Sequence, residues 1–263
     1  RHAVSHLLHQ INTGNGDRPA LHKAVLSRVC SVRFNHPVSP HRVLARLRTV
    51  NPHAFQFLLQ PAPGVAFFGA SPERLVRVRH RRLTTEALAG TRPRGDSIAS
   101  DRELEQQLLT SVKERHEHRL VHDGIRHALG GLCDTVQVRD AVSVRKLAHV
   151  QHLDTPFEGS LQSDKRLGDV LQALHPTPAV GGSPRDAALA AISAAEPFDR
   201  GWYAAPFGWV DAAGGEFAVA IRSALAVGDS LDLYAGSGIV NGSDPATEWD
   251  ETENKLQQLL EAI

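Results

Sequence analysis

Residues 205–235 read APFGWVDAAGGEFAVAIRSALAVGDSLDLYA and contain three apolar runs separated by short turn segments. We expect strands at Ala205–Val210, Glu216–Leu225 and Ser230–Ala235, because glycine, aspartate and serine between the runs favour turns. Consecutive strands joined by such short turns pair antiparallel, whereas parallel strands need a long crossover connection. This stretch therefore predicts an antiparallel sheet near the end of the chain.

The sequence before this stretch also groups its strands in pairs rather than alternating strand with helix. That order favours a layered α+β fold over a doubly wound parallel sheet. The predicted strands are Ala24–Val32, Phe55–Leu59, Val65–Gly69, Leu75–Val78, Leu83–Thr85, Thr135–Val138 and Ala148–His152. Apolar spacing of three and four predicts helices at 3–12 (broken at Asn12–Asp17), His41–Leu47, Ser100–Leu129 (one helix or two abutting), Leu167–Leu174, Ala187–Ala195 and from Asp244-Pro245 onward.

Composition limits the function classes. The 263 residues are 41% hydrophobic, enough for a sizeable core. Basic and acidic residues balance at 29 each, so no large basic field is available for a nucleic-acid backbone. No apolar run approaches the ~20 residues of a membrane helix, and the first residues have no signal-peptide pattern.

The chain has two cysteines, Cys30 and Cys133. Two cysteines in a chain of this length do not form a disulfide framework, which indicates a reducing, cytoplasmic location. The chain has no methionine and begins at Arg1, so we expect a single domain, residues 1–263, that lacks its N-terminal segment.

The segment Tyr234–Val240, YAGSGIV, predicts a strand that runs into a glycine-rich turn before the last helix. Its glycines, Gly236, Gly238 and Gly242, do not have the G-x-G-x-x-G spacing of a nicotinamide-binding loop. Such a turn can present bare backbone N–H groups to a carboxylate. The alternative is a tight turn that needs glycine for its backbone conformation.

Two acidic pairs lie on two predicted helices. Glu248 and Glu251 share a helical face with Lys255, and Glu114 and Glu117 are likewise three residues apart. Carboxylate oxygens with room for water suit Mg²⁺, so the pairs are candidates for one cation site. The alternative is two solvated helix faces.

Other side chains suit acid–base or metal chemistry, each with a plainer alternative. Glu73 ends an apolar strand, where partial burial would raise its pKa and suit a general acid. Lys23 precedes a strand and suits a base if it loses its proton. A surface role is the simpler interpretation of either residue alone. His118 and His122 have half the spacing of a zinc site without an obvious third ligand, which favours a packed or solvated role.

Ten segments in this order resemble the chorismate-binding family, which includes isochorismate, salicylate, anthranilate and aminodeoxychorismate synthases. The resemblance runs from about residue 20 to the C-terminus, and family members are usually longer at the N-terminus. The segments are HKAVLSR (22–28), GASPE (69–73), ALAGTR (87–92), KERHEH (113–118), VQHL (150–153), LHPTPA (174–179), GWYA (201–204), AIRS (220–223), YAGSGIV (234–240) and EWDET (248–252).

The resemblance implies two large, mostly antiparallel sheets flanked by helices, and a Mg²⁺ site facing the substrate's ring carboxylate. Glu117 and Glu251 match the usual metal ligands, with Glu114 and Glu248 acting directly or through water. Tyr203, Arg222 and the glycine turn would hold the enolpyruvyl carboxylate. The implied substrate contacts are Gly90, Thr91, His152, Thr177, Ala179, Tyr203, Arg222, Gly236, Gly238 and Lys255.

The branch of the family depends on the nucleophile. Members that add water resemble this chain in having lysine at Lys23, whereas members that add ammonia carry glutamine there and depend on an amidotransferase partner. The segment His175–Ala179 resembles the isochorismate branch, and Gly201-Trp202-Tyr203 with Phe207-Gly208-Trp209 is similar to the menaquinone type. We therefore expect an isochorismate synthase without an amidotransferase, with Lys23 as base and Glu73 as acid. It would feed a menaquinone or siderophore pathway.

Alternatives from the resemblance are a salicylate synthase, which also eliminates pyruvate, and a non-catalytic chorismate-binding subunit. The chain departs from the family pattern at Val112, at Ala205 and at Ser237, where alanine is common. None of these departures removes a proposed catalytic group.

Overall fold

The computed structural model describes residues 1–13, 20–139 and 141–263, so the predicted break at Asn12–Asp17 lies mostly outside the described residues. The helices are α1 His2–Thr13, α2 Pro40–Val50, α3 Ile98–Thr110, α4 Val112–Gly130, α5 Leu167–Leu174, α6 Arg185–Ala195 and α7 Pro245–Leu260. The strands are β1 Lys23–Arg33, β2 Phe55–Ala62, β3 Val65–Ser71, β4 Arg74–Arg79, β5 Arg82–Pro93, β6 Cys133–Val138, β7 Ser143–Lys146, β8 Val150–Leu161, β9 Gly182–Ser183, β10 Pro206–Asp211, β11 Gly214–Val219, β12 Ser223–Val227 and β13 Ser230–Val240.

The strands form two sheets, which confirms the predicted α+β fold. One sheet has the order β2-β3-β12-β13-β1-β9, and the other has the order β10-β11-β4-β5-β8-β6 with β7 also paired to β8. The pairings that build both sheets are antiparallel. The helices lie on the outside of the sheets, where α4 packs against β5 and α7 against β13. The described residues include no helix long and apolar enough to cross a membrane.

Sequence patterns placed most elements well. The abutting alternative for 100–129 is the one observed, because Ser111 separates α3 from α4 and its hydroxyl accepts a hydrogen bond from the Glu114 N–H. The last helix begins as predicted, with Asp244 accepting hydrogen bonds from two backbone N–H groups in its first turn. Cys30 and Cys133 are free thiols.

The prediction of one strand over Glu216–Leu225 was wrong. That run is divided between β11 in the seven-stranded sheet and β12 in the six-stranded sheet. The chain crosses between the sheets at 220–222, where Arg222 has a φ of 52°. A second crossing, at 72–73, joins β3 to β4 and contains Glu73. Each crossing contains a charged residue that is buried, Glu73 in the one and Arg222 in the other. The run 216–225 is otherwise mostly apolar, so its hydropathy resembles that of one continuous strand.

The predicted glycine turn after Tyr234 was also wrong. Strand β13 continues to Val240 and pairs with β1, so that Gly238 lies opposite Val25 and Gly236 opposite Ser27. The turn comes later, at Gly242, where φ is 88°. The two earlier glycines are therefore strand residues, and close packing explains them better than turn geometry.

Candidate active site

A narrow cleft of about 60 Å³ lies between the two sheets at their crossings. It is lined by most of the residues that the family resemblance implied. These are Glu73, Gly90, Thr91, Glu117, His152, Ala179, Tyr203, Arg222, Gly236, Gly238 and Lys255. The structure therefore brings residues from segments that are far apart in sequence into one site.

The remaining predicted residues lie just behind this lining. Lys23 is fully buried, and its Nζ donates a hydrogen bond to Glu117 Oε1 over 2.9 Å. The Thr177 hydroxyl accepts a hydrogen bond from the Ala179 N–H at 3.3 Å, so Thr177 shapes the loop instead of facing the cleft. Glu114, Glu248 and Glu251 form the acidic side of the site, next to Glu117.

The cleft in this conformation has room for solvent but not for a substituted ring. Larger clefts exist, including one of about 540 Å³ on the other side of Pro72. Its cations Arg74 and Arg145 are already paired with Glu216 and Glu86. The narrow cleft, which holds uncompensated groups, is the better candidate, and a bound ring would require its walls to separate.

Glu73 is the acidic group at the first crossing. Its side chain is buried, and its backbone N–H donates to the Ser71 hydroxyl at 3.2 Å. Burial, assisted by the negative charge of Glu86, raises the pKa of Glu73 to about 7, although the charges of Lys23 and Arg222 oppose the shift. At neutral pH this carboxyl is about half protonated, which suits proton donation.

Arg222 is the cationic group at the second crossing. Its guanidinium is buried, and burial lowers its pKa from the ordinary value. Among the described residues it has no carboxylate within the 4.0 Å of an ion pair. Its φ of 52° is unusual for a residue other than glycine, and such conformations concentrate at functional sites. A buried guanidinium that faces a cleft without an ion-pair partner is a site for an anion. A carboxylate fits it because two parallel N–H groups can donate to the two carboxylate oxygens.

His152 and Tyr203 add neutral polar groups to the same cleft. Burial, with the charges of Arg222 and Lys255, lowers the pKa of His152 to about 3, so its ring is uncharged. Its Nδ1 lies 3.1 Å from the Gly90 carbonyl, which only accepts, so Nδ1 carries the proton and Nε2 remains an acceptor. Tyr203 stacks on Tyr234 with ring centroids 5.2 Å apart.

The four glutamates are held by cations from several elements. Lys23 binds Glu117, and Lys255 binds Glu251 at 2.5 Å. Burial opposes ionisation of both glutamates, but the charges of these lysines and of Lys113 outweigh it and hold the pKa values of Glu117 and Glu251 below their ordinary value. These two carboxylates are therefore ionised and charge-compensated at neutral pH.

The outer glutamates are fixed by other contacts. Glu114 accepts hydrogen bonds from the Thr91 N–H at 3.0 Å and from Arg92 at 2.7 Å, and burial raises its pKa. The hydroxyl of Ser237 donates to Glu248 Oε2. Lys113 Nζ approaches the other oxygen, Glu248 Oε1, at 2.9 Å.

Glycine is required where β13 passes these groups. A Cβ at Gly238 would overlap the carboxylate of Glu117 and lie 2.8 Å from Lys23 Cε. A Cβ at Gly236 would lie 2.9 Å from the Tyr203 hydroxyl. The missing side chains leave room for Lys23, Glu117 and the Tyr203 hydroxyl, which is the physical reason for two glycines inside a buried strand.

Known proteins with similar sequences identify the family. The profile described as chorismate binding enzyme matches residues 1–263. The chain belongs to this family. It is 45% identical over 244 residues to isochorismate synthase 2, chloroplastic, from Arabidopsis thaliana, and 46% identical over 242 residues to the salicylate biosynthesis isochorismate synthase of Pseudomonas aeruginosa. Each alignment covers 92% of this chain but only 43% and 50% of these relatives, so the chain spans about half of their length.

A solved structure of a chorismate-binding relative agrees with the fold. MenF, the menaquinone-specific isochorismate synthase from Escherichia coli, superposes with a TM-score of 0.90 at 36% identity. The superposition covers 99% of this chain and 59% of that protein. The two-sheet architecture that positions the cleft is thus shared with a family member of known structure.

The acidic side of the site fits a hard cation by donor chemistry. Buried carboxylates from two helices converge there, and among the described residues Glu248 Oε1 has no hydrogen-bond donor, because the approach of Lys113 is not aligned as one. No group of three or more carboxylate, imidazole or thiol ligands surrounds a common metal position in the described part of the chain. An ammonium, that of Lys113, instead lies among the glutamates.

Sequence reasoning missed the roles of several residues in this chorismate-binding fold. Lys113 was part of a quoted segment, but its position one helical turn before Glu117 is the signal that it faces the same cluster. Glu196 accepts a hydrogen bond from the Ser27 N–H at 2.7 Å, and Arg200 donates to the Val25 carbonyl at 2.7 Å. This pair fixes β1 beside the cleft, and nothing in its local sequence indicates that function.

Proposed function

We propose that this chain converts chorismate to isochorismate with Mg²⁺, and that residues 1–263 act as one catalytic domain. The observation that carries the proposal is that two groups line the same cleft. Glu73 is a buried carboxyl with a pKa of about 7, and Arg222 is a buried guanidinium without an ion-pair partner among the described residues. One group supplies a proton and the other binds a carboxylate. Both sheets contribute to this cleft, which supports a single domain.

The reaction is an allylic displacement that needs an acid and a base at opposite ends. A water oxygen bonds to C2 of the ring, the double bonds shift, and the C4 hydroxyl leaves as water with the proton of Glu73. Lys23 takes the proton released by the attacking water. Lys23 donates to Glu117 in this structure, so it must give up that proton before it serves as a base.

Substrate binding in this proposal uses the remaining groups of the cleft. The Arg222 guanidinium and the Tyr203 hydroxyl hold the enolpyruvyl carboxylate, and the neutral His152 accepts a hydrogen bond from a ring hydroxyl. Glu117 and Glu251 would hold Mg²⁺, with Glu114 and Glu248 beside them. The metal would bind and polarise the ring carboxylate.

Lysine at position 23 supports water, not ammonia, as the nucleophile, so no amidotransferase partner is part of the proposal. The Pseudomonas aeruginosa relative is named for salicylate biosynthesis, and the Escherichia coli relative is described as menaquinone-specific. In this proposal the residues of the cleft bind chorismate, and they do not indicate which enzyme consumes the product.

The test is product analysis in ¹⁸O-labelled water with chorismate and Mg²⁺. We expect isochorismate with one ¹⁸O atom in the C2 hydroxyl. Salicylate formed without a second enzyme would assign the chain to the salicylate branch, and unchanged chorismate that binds the protein would indicate a non-catalytic binding subunit. Lys23→Gln should abolish water addition, whereas Lys146→Gln, outside the cleft, should not.

A further inference from the structure

Lys113 lies at the centre of the acidic side of the site. Its Nζ is 2.9 Å from Glu248 Oε1, 3.5 Å from Glu114 Oε1 and 3.6 Å from Glu117 Oε2. The side chain is only 17% exposed. These contacts join α4 to α7 through one ammonium.

Two of the three oxygens that face Lys113 have no other partner among the described residues, whereas the third, Glu114 Oε1, also accepts a hydrogen bond from Arg92. Glu117 gives Oε1 to Lys23, and Glu248 gives Oε2 to Ser237. The opposite oxygens, Glu117 Oε2 and Glu248 Oε1, point towards Lys113, and Glu248 Oε1 has no hydrogen-bond donor among the described residues. Carboxylate oxygens that converge in this way form a cation position, and the ammonium occupies it.

We propose that the Lys113 ammonium is a built-in occupant of the divalent-cation site, present when no metal is bound and displaced when one binds. The inference rests on the Mg²⁺ site of the proposed function. A divalent cation held by Glu117 and Glu251, with Glu248 beside them, would lie close to this ammonium, because Lys113 contacts both Glu117 and Glu248. Two positive charges at short separation repel strongly in a buried site. The ammonium and a divalent cation therefore cannot occupy this position at the same time.

The position of Lys113 in the helix allows it to leave. It is the second residue of α4, and its neighbour Val112 is 84% exposed, so solvent is close to this end of the helix. A lysine has a flexible four-carbon stem and a strongly hydrated ammonium, which favours a solvent-facing alternative. Displacement has two consequences. The ammonium stabilises the site when no metal ion is bound, and the affinity for a metal ion is lower than the four carboxylates alone would give.

The test is a calorimetric titration of Mg²⁺ into chorismate-free protein, wild type against Lys113→Met. We expect the variant to bind Mg²⁺ roughly tenfold more tightly or better, within the range over which neighbouring groups change metal affinity. Equal or weaker binding would overturn the inference. Lys146→Met is the matched control, because Lys146 also binds two carboxylates, Asp101 and Glu105, each at 2.8 Å, away from the site.

Removing the ammonium that contacts Glu114, Glu117 and Glu248 can destabilise the metal-free fold. Lys113→Gln keeps a donor without the charge, and we expect the same tighter binding. Lysine acylation of wild type, read by mass spectrometry, avoids substitution: Mg²⁺ should increase labelling of Lys113 and leave Lys146 unchanged. Unchanged labelling at Lys113 despite measured Mg²⁺ binding would contradict displacement.

These readouts separate the two proposals. Binding of Mg²⁺ by wild type without a gain in Lys113→Met would remove the displacement and leave the proposed reaction intact. If neither protein bound Mg²⁺, the metal site and its displacement would fail together. Isochorismate formation is assayed separately and does not enter the titration.

Discussion

Two buried glutamates at the cleft, Glu73 and Glu251, have pKa values that shift in opposite directions. Among the described residues Glu73 has no cationic side chain in contact, and its pKa rises to about 7. Glu251 on the other side is paired with Lys255, and its pKa falls. Burial raises the pKa in both cases. The charge of Glu86 adds to the rise at Glu73, whereas the charges of Lys255 and Lys113 reverse it at Glu251.

This difference assigns a separate chemistry to each side. A carboxyl that keeps its proton near neutral pH donates it, and carboxylates that stay ionised bind cations. The backbone produces the difference, because Glu73 lies on a crossing between sheets, whereas Glu117 and Glu251 lie on helices with a lysine one turn away. Glu117 and Glu251 are thus paired with lysines in the absence of a metal ion.

Glu73→Gln should have the largest effect, because it keeps the shape of the Glu73 side chain and removes its acidic proton. We expect turnover to fall by about 100- to 10,000-fold, the usual contribution of a general acid. Chorismate binding, measured by calorimetry, should persist. Glu216→Gln, a partly buried glutamate paired with Arg74, is the control, and a Glu73→Gln variant with ordinary turnover would refute the acid assignment.

The same variant tests the raised pKa through stability. The folded pKa of Glu73 is about 7 against an ordinary value of 4.5, so the folded state binds the proton more tightly than the unfolded state. Wild type should therefore lose up to about 3 kcal/mol of stability as the pH rises from 4.5 through 7, a loss that Glu73→Gln lacks. Urea unfolding at pH 5 and pH 8 measures it. Identical pH dependence in the two proteins would contradict the shift.

Arg222→Gln sharpens the comparison, because the charge of Arg222 lowers the pKa of Glu73. Without it, the pKa of Glu73 should rise, and the alkaline limb of the kcat/KM profile should move to higher pH. Loss of a charged hydrogen bond to the carboxylate should also raise KM by about 10- to 100-fold. Arg94→Gln, whose guanidinium pairs with Asp101 outside the cleft, should change neither quantity.

Ser237→Ala is the smallest perturbation, and it acts on the ionised side. It removes the hydroxyl that holds Glu248 Oε2, so Mg²⁺ affinity should fall by about fivefold with turnover at saturating metal unchanged. Thr85→Val removes another buried hydroxyl, one that donates to the Leu75 carbonyl, and should leave Mg²⁺ binding unaltered. A Ser237→Ala variant with unchanged affinity would show that the contact does not position Glu248.

The sequence predicted the elements wherever the apolar period was regular. The helix at Leu167–Leu174 has the predicted bounds, and the hairpin strands of the six-stranded sheet are extended by only a few residues. Strand β8 was predicted only to His152, because Asp154 and Pro156 resemble turn residues; in the structure Asp154 is buried against Arg145. Tertiary partners of this kind override local propensity.

The site was predictable as a set of residues but not as an arrangement. Family motifs gave the residues that line the cleft, including Glu73 and Arg222. They did not show that these two lie at crossings between sheets, since which sheet each strand joins depends on long-range pairing. The place of Lys113 depends on α4 and α7 meeting, which is a long-range contact that no local pattern contains.

Direct titration of Glu73 tests the central claim, that this carboxyl keeps a pKa near neutrality while Glu117 and Glu251 are ionised. Infrared difference spectra of wild type and Glu73→Gln, recorded across pH 4 to 9, isolate this group. We predict a protonated-carboxyl band that disappears with a pKa of about 7 in wild type and is missing from the variant. A band that titrates near the ordinary glutamate value, or one that persists in Glu73→Gln, would contradict the account.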